Sequence, residues 1–185
     1  MDYNIFDQSR LPYNLDQSPD NLRVHEGNGQ AWAALCDLAK SWPDYPRVPI
    51  LLAGPKNSGK THLMRAFEHH FCNIHPTAKI SWQSPRNIAD SHFRLSSRLR
   101  YVRPSNERSD IDVLFVHSTA IEEESLGLQD LFVQLMVQIQ QTVKILIFEA
   151  RCLPNEHALV APHPDAIYLP SYKRLFKECS VFKII

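Results

Sequence analysis

Glycine is scarce in this chain of 185 residues: there are five, against 13 prolines. Each of the five therefore marks a position that needs explaining, and a lid hinged on glycine has little to work with. Surplus charge is missing too. Twenty Lys+Arg face 20 Asp+Glu, so little direct nucleic-acid binding is expected, because non-specific affinity comes from neutralising phosphates with excess cations. No apolar run approaches the roughly 18 residues that span a bilayer, and Asp2 and Asp7 make the start unlike a signal peptide. Cys36, Cys72, Cys152 and Cys179 are widely spaced and contain no C-x-x-C pair. That excludes a disulfide scaffold and reads as core filling in a reducing cytosol. What the chain does have is 44% apolar residues, enough to fill one real core.

Residues 1–27 are polar and rich in Asn, Asp and Pro, and read as an arm ahead of a domain at 28–185. A helical pattern follows at Ala31, Ala34, Leu35 and Leu38, and the stretch from Trp42 to Pro46 stops it. Val48–Ala53 is a short continuous apolar run, as in a strand buried on both faces. Gly59–Phe71 reads as a helix with Leu63, Ala66, Phe67 and His70 on one side. Further strands are predicted at Lys79–Gln83, Asp112–His117, Val143–Phe148 and Val181–Ile185, and further helices at Leu128–Gln140 and 171–179. Five strands alternating with helices imply an α/β fold: a parallel sheet with right-handed crossovers and helices on both faces.

One motif dominates. Gly54-Pro55-Lys56-Asn57-Ser58-Gly59-Lys60-Thr61 is a complete G-x-x-x-x-G-K-[ST] between a predicted strand and a predicted helix, the context that identifies a phosphate-binding P-loop. Backbone N–H groups of such a loop and of the helix start point at phosphates. Lys60 reads as a solvent-facing charge reaching the β and γ groups, and the Thr61 hydroxyl ligates Mg²⁺.

Phosphoryl-transfer chemistry also needs a carboxylate at the carboxyl end of a neighbouring strand, to hold Mg²⁺ and polarise water. The strand before His117-Ser118 ends without one. Asp112 lies at the opposite end, about 17 Å away for five residues of strand. Glu122, Glu123 and Glu124 fit the acidic first turn of the next helix better than a metal site. Glu149 has two readings: if its strand lies beside the P-loop strand it projects toward the nucleotide, and otherwise it is a carboxylate paired with Arg151 or a neighbour. The histidines around His69, His70 and His75 face different sides of a helix and lack a second ligand group, which argues against a metal centre there.

From Ser41-Trp-Pro-Asp-Tyr-Pro46 through Gly54-Pro-Lys-Asn-Ser-Gly-Lys-Thr-His62-Leu63, the chain resembles the opening of the Hda/HdaA proteins, relatives of the ATPase domain of the bacterial replication initiator DnaA. The order of later strands and helices, with Leu169-Pro170-Ser-Tyr-Lys-Arg174-Leu175 near the end, is similar as well. The resemblance implies an AAA+-type P-loop NTPase fold, a cytoplasmic location, and ATP or ADP with Mg²⁺ held by Gly54 to His62. It implies contact with DnaA, and it gives Arg174 the position of an arginine finger acting on a neighbouring subunit's nucleotide, which leaves self-association open. Arg10-Leu11-Pro12-Tyr13-Asn14-Leu15 resembles the family's motif for the DNA polymerase sliding clamp, with Arg10 where a Gln would stand. The family's acidic pair falls on His117 and Ser118, and its sensor Thr falls on Glu149, which with Arg174 makes the catalytic set. The family also continues into a helical lid, of which the chain up to Ile185 shows no counterpart.

The function implied is regulation of bacterial replication initiation through DnaA, with weak or absent ATPase activity of its own. Two other readings fit a P-loop. One is a small nucleotide or metabolite kinase using the arginines between Arg94 and Arg108 as a lid. The other is a nucleotide-free pseudo-ATPase that serves as an interaction module.

Overall fold

A computed structural model describes residues 21–44, 48–85, 111–117, 143–150 and 177–185, together with residues 130, 132–134, 136, 137 and 139. In chain order the elements are α1 (Glu26–Ser41), β1 (Ile50–Ala53), α2 (Lys60–Ile74), β2 (Ile80–Gln83), β3 (Val113–Val116), β4 (Ile145–Ala150) and β5 (Ser180–Lys183). The strands form one parallel sheet in the order β2-β3-β4-β1-β5. The α/β architecture expected from the sequence is thus what forms, with the P-loop strand β1 between β4 and β5.

Alternation along the strands assigns the faces. Ile50 and Leu52, Val113 and Phe115, and Ile145 and Ile147 share one face, where they join Leu35 and Leu38 of α1 and Leu63, Phe67 and Phe71 of α2 in one core. The intervening residues Leu51, Leu114, Val116, Leu146 and Phe148 are buried as well. A strand apolar on both sides is the mark of a sheet covered on both sides. Every described residue between 130 and 139 is helical, and Phe132, Val133 and Met136 among them are buried. Full burial of a phenylalanine such as Phe67 stabilises the fold by about 2–3 kcal/mol.

Helix α1 begins two residues inside the segment read as an arm, because its cap is built there. The Gly27 N–H donates to His25 Nδ1 at 3.1 Å, and the His25 N–H donates to Asn28 Oδ1 at 2.9 Å. The reciprocal pair satisfies backbone donors that the first turn leaves unpaired. Trp42 is extended, as a residue before proline must be, and ends the helix. Helix α2 runs three residues past its expected end at Phe71, since nothing before His75-Pro76 breaks it. His70, expected on the apolar side, is only half-buried and lies 5.7 Å from the Trp32 ring.

Strand bounds also shift. β1 starts at Ile50, because Val48 is exposed and Pro49 has no N–H to give a ladder. β4 lies two residues later than expected, so Glu149 is inside the strand, opposite Leu52 of β1, and not beyond its tip. The cysteines correct their reading as core fillers: Cys72 is exposed, while Cys36 and Cys179 are half-buried. Burial, helped by the charge of Glu178, pushes the Cys179 thiol up to about 12. Helix 171–179, Glu122–Glu124, Ser118, Arg174, Cys152, Arg94–Arg108 and the segment Arg10–Leu15 lie wholly or largely outside the described residues.

Candidate functional site

The site sits where β1 ends and α2 begins. Gly54 continues β1, with its N–H donating to Ala150 O of β4 at 3.1 Å. No other residue fits there, since a Cβ would meet Ile184 O at 2.2 Å. Asn57 and Gly59 both have positive φ, 65° and 86°, which curls the loop back so that α2 starts at Lys60. Glycine takes this conformation without the cost of a Cβ clash. The first turn of α2 carries no acidic residue, so its N–H groups and the positive end of its dipole are left for an anion.

Lys60 is not the solvent-facing charge expected of it. It is 4% exposed, and its ammonium donates to Gly54 O at 2.8 Å, Pro55 O at 2.7 Å and Ser58 Oγ at 3.3 Å. A buried ammonium needs its donors satisfied, and the curled loop turns two carbonyls and a hydroxyl toward it. The residue thereby shapes the loop it was expected only to project from. Pro55, Lys56 and Asn57 form the exposed lip, and His62, the third residue of α2, is half-buried.

Glu149 meets the P-loop. Its carboxylate, wholly buried, accepts a hydrogen bond from Thr61 Oγ1 at Oε2, 3.1 Å away. Its other oxygen, Oε1, lies against Nδ1 of His117. That contact is not an aligned hydrogen bond, and neither Oε1 nor Nδ1 has a hydrogen-bond partner. Parallel register brings these groups together. Val116 is opposite Phe148, so His117 follows as Glu149's neighbour, and both continue the face that α2 covers. Glu149 thus lies against a neighbouring side chain and is also hydrogen-bonded to the first turn of α2.

Sequence reasoning assigned His117 only as a missing acid and did not join it to Glu149 and Thr61. The signal was available: positions 113, 115 and 117 share parity on one strand, and 145, 147 and 149 on the next. Asp112, set aside for being at the wrong end, is indeed there, accepting from the Lys79 N–H at 2.9 Å and pairing with Lys144 at 2.7 Å. Among the described residues no three His, Cys, Asp or Glu side chains gather.

A five-stranded parallel sheet in this order, with a P-loop leaving β1, is the AAA+ form of the P-loop NTPase fold. Residues 14–161 match the family model described as the bacterial DnaA ATPase domain, and the chain belongs to that family. It is 23% identical over 155 residues to the chromosomal replication initiator DnaA of Lacticaseibacillus casei, covering 84% of this chain but 34% of that protein. The chain therefore spans about a third of the length of such relatives. Domain III of Thermotoga maritima DnaA superposes with a TM-score of 0.67 at 18% identity, covering 95% of this chain and 69% of the other. AMPPCP-bound DnaA of Aquifex aeolicus gives 0.62 at 16% identity, over 93% and 50%. No helix among the described residues is long and apolar enough to cross a membrane.

Proposed function

We propose that this chain is a nucleotide-binding regulator of the Hda-like kind, which holds ATP or ADP at Gly54–His62 and acts on DnaA in bacterial replication initiation. The observation that carries this reading is the Thr61–Glu149 bond. It gives the P-loop hydroxyl a buried carboxylate partner from β4, although the residue that follows the next strand, β3, is the histidine His117. The nucleotide seen in the Aquifex aeolicus relative supports adenine nucleotide as the ligand. Lys60 would turn from its loop carbonyls to the β- and γ-phosphates, a short swing for a side chain already seated under them. A hydroxyl beside a carboxylate suits a divalent cation, so Thr61 and Glu149 are the residues that would hold Mg²⁺. When bound, that ion would neutralise phosphate charge.

Turnover by the chain alone is slow in this reading. His117 occupies the position from which a second carboxylate would polarise water. Losing such a group costs about 4 kcal/mol of barrier, or about three orders of magnitude. Arg174 then acts on the nucleotide of DnaA, and Arg10–Leu15 of the arm docks on the sliding clamp as an extended peptide.

Binding of a fluorescent ADP tests the first step. Wild type should bind in the micromolar range, near −8 kcal/mol, and Lys60→Ala should weaken binding by about a hundredfold, since a charge-assisted phosphate contact is lost. Equal affinity in the variant would remove the P-loop from the reading. ATP turnover by DnaA should rise on adding the wild-type chain and not on adding Arg174→Ala. If DnaA turnover is unmoved by wild type, the regulatory role fails while nucleotide binding stands on its own titration.

A further inference from the structure

The proposed Mg²⁺ site contains a nitrogen donor, and that changes which cation it suits. We propose that Thr61, Glu149 and His117 form a nucleotide-dependent site for a first-row transition-metal dication, favoured over Mg²⁺ because the His117 imidazole is one of its ligands. The inference deepens the nucleotide-binding reading and rests on it for the phosphate oxygens that complete the coordination.

Three observations carry it. The Glu149 carboxylate is wholly buried, yet its Oε1 has no hydrogen-bond partner, and neither does Nδ1 of His117 beside it. A buried carboxylate oxygen and a ring nitrogen left in this state, side by side, are two donors converging on one point. Thr61 Oγ1 approaches the same carboxylate from the P-loop side, 3.1 Å from Oε2. One hydroxyl, one carboxylate and one imidazole therefore meet at the mouth of the phosphate loop. The His117 side chain is 30% exposed, although Nδ1 and the facing Oε1 are themselves buried, so the ring edge is the side from which an ion would approach.

Chemistry then selects the ion. Mg²⁺ demands oxygen ligands in near-ideal octahedral geometry and keeps several waters, whereas imidazole suits the later first-row metals. Two strong protein donors and a hydroxyl make too weak a cage to hold a metal alone. Nucleotide phosphates would supply the remaining oxygens, so metal and nucleotide should each tighten the other by the same factor.

The test uses the full chain with Mn²⁺, Co²⁺ and Mg²⁺ as probes, and ADP with its fluorescent analogue. Pulsed paramagnetic resonance of bound Mn²⁺ should show coupling to an imidazole ¹⁴N and, with ADP present, to ³¹P of the same complex. The nitrogen coupling should vanish in His117→Ala. Fluorescent-ADP affinity should be at least tenfold higher with Co²⁺ than with Mg²⁺ in wild type. In His117→Asp that preference should collapse to the small bias free ADP itself shows, and melting temperatures will establish that both variants are folded. Absence of nitrogen coupling in wild type, its persistence in His117→Ala, or a Co²⁺ preference unchanged in His117→Asp overturns the metal site. If ADP binds in chelator as well as with any metal, and Lys60→Ala abolishes that binding, the metal site fails and the P-loop reading survives. If ADP does not bind under any condition, the P-loop reading fails, and bound Mn²⁺ lacking ¹⁴N coupling would sink the metal site with it.

Discussion

The amino and carboxyl ends of the parallel strands are built on opposite principles. At the amino ends most polar groups are closed off against each other. Asp112 takes the Lys79 N–H and the Lys144 ammonium, and Lys144 lies 5.0 Å from the centre of the Trp42 ring. Trp42, Phe71 and His75 pack tilted or edge-on against one another at 4.6–5.8 Å, while His75 Nε2 reaches Ala39 O at 2.7 Å. The carboxyl ends instead gather a buried ammonium, a buried carboxylate and an imidazole, with two atoms left without hydrogen bonds. Unmatched polar atoms in a buried place are costly. Trp42 Nε1 at the amino end is unmatched too, but it stands alone there, whereas Glu149 Oε1 and His117 Nδ1 lie side by side next to the P-loop hydroxyl.

Three substitutions sharpen that contrast. Phe67→Ala removes a fully buried ring that faces Phe71 at 5.5 Å and Phe115 at 6.1 Å. Urea denaturation should show a loss of about 4 kcal/mol, and a loss under about 1 kcal/mol would mean that the core repacks freely. Asp112→Ala should cost about 1 kcal/mol, mainly through the backbone hydrogen bond, because the Lys144 side chain is 44% exposed and its ion pair is screened. It should leave ADP affinity unchanged; an altered affinity would show that the two ends are coupled. Glu149→Gln should have the smallest effect on folding. The amide can still accept from Thr61 and carries no buried charge, so the melting temperature should stay level or rise while metal-dependent ADP binding weakens. A clear fall in melting temperature would mean that the carboxylate serves the fold.

Much of this was legible in the residues. The P-loop could be read because eight consecutive residues carry it, and the buried strands because Ile50–Ala53 and Val113–Val116 are apolar at every position. The pairing of Glu149 with His117 was not legible, because it depends on two strands lying in a particular register, a relation that no local pattern encodes. The burial of Lys60 was missed for a similar reason. Only the curl set by Asn57 and Gly59 turns loop carbonyls toward it. Strand ends shifted where proline or a charged neighbour outweighed apolarity, as at Pro49 and Lys144.

The fit of Ile184 against Gly54 has a consequence for biosynthesis. The P-loop strand pairs on one side with β5, whose residues Ser180–Lys183 are the last of the sheet to leave the ribosome. Ile184 N–H then donates to Ala53 O at 2.7 Å, and Ile185 N–H to Gly27 O at 3.2 Å. The loop and the capped start of α1 are thus braced by a segment synthesised long after both. Such long-range closure is slow, and a nascent chain halted before β5 carries every residue of the phosphate loop without the strand that braces it. The braced form of the loop therefore arrives in one step, when β5 joins the sheet, and not gradually as the loop itself is made.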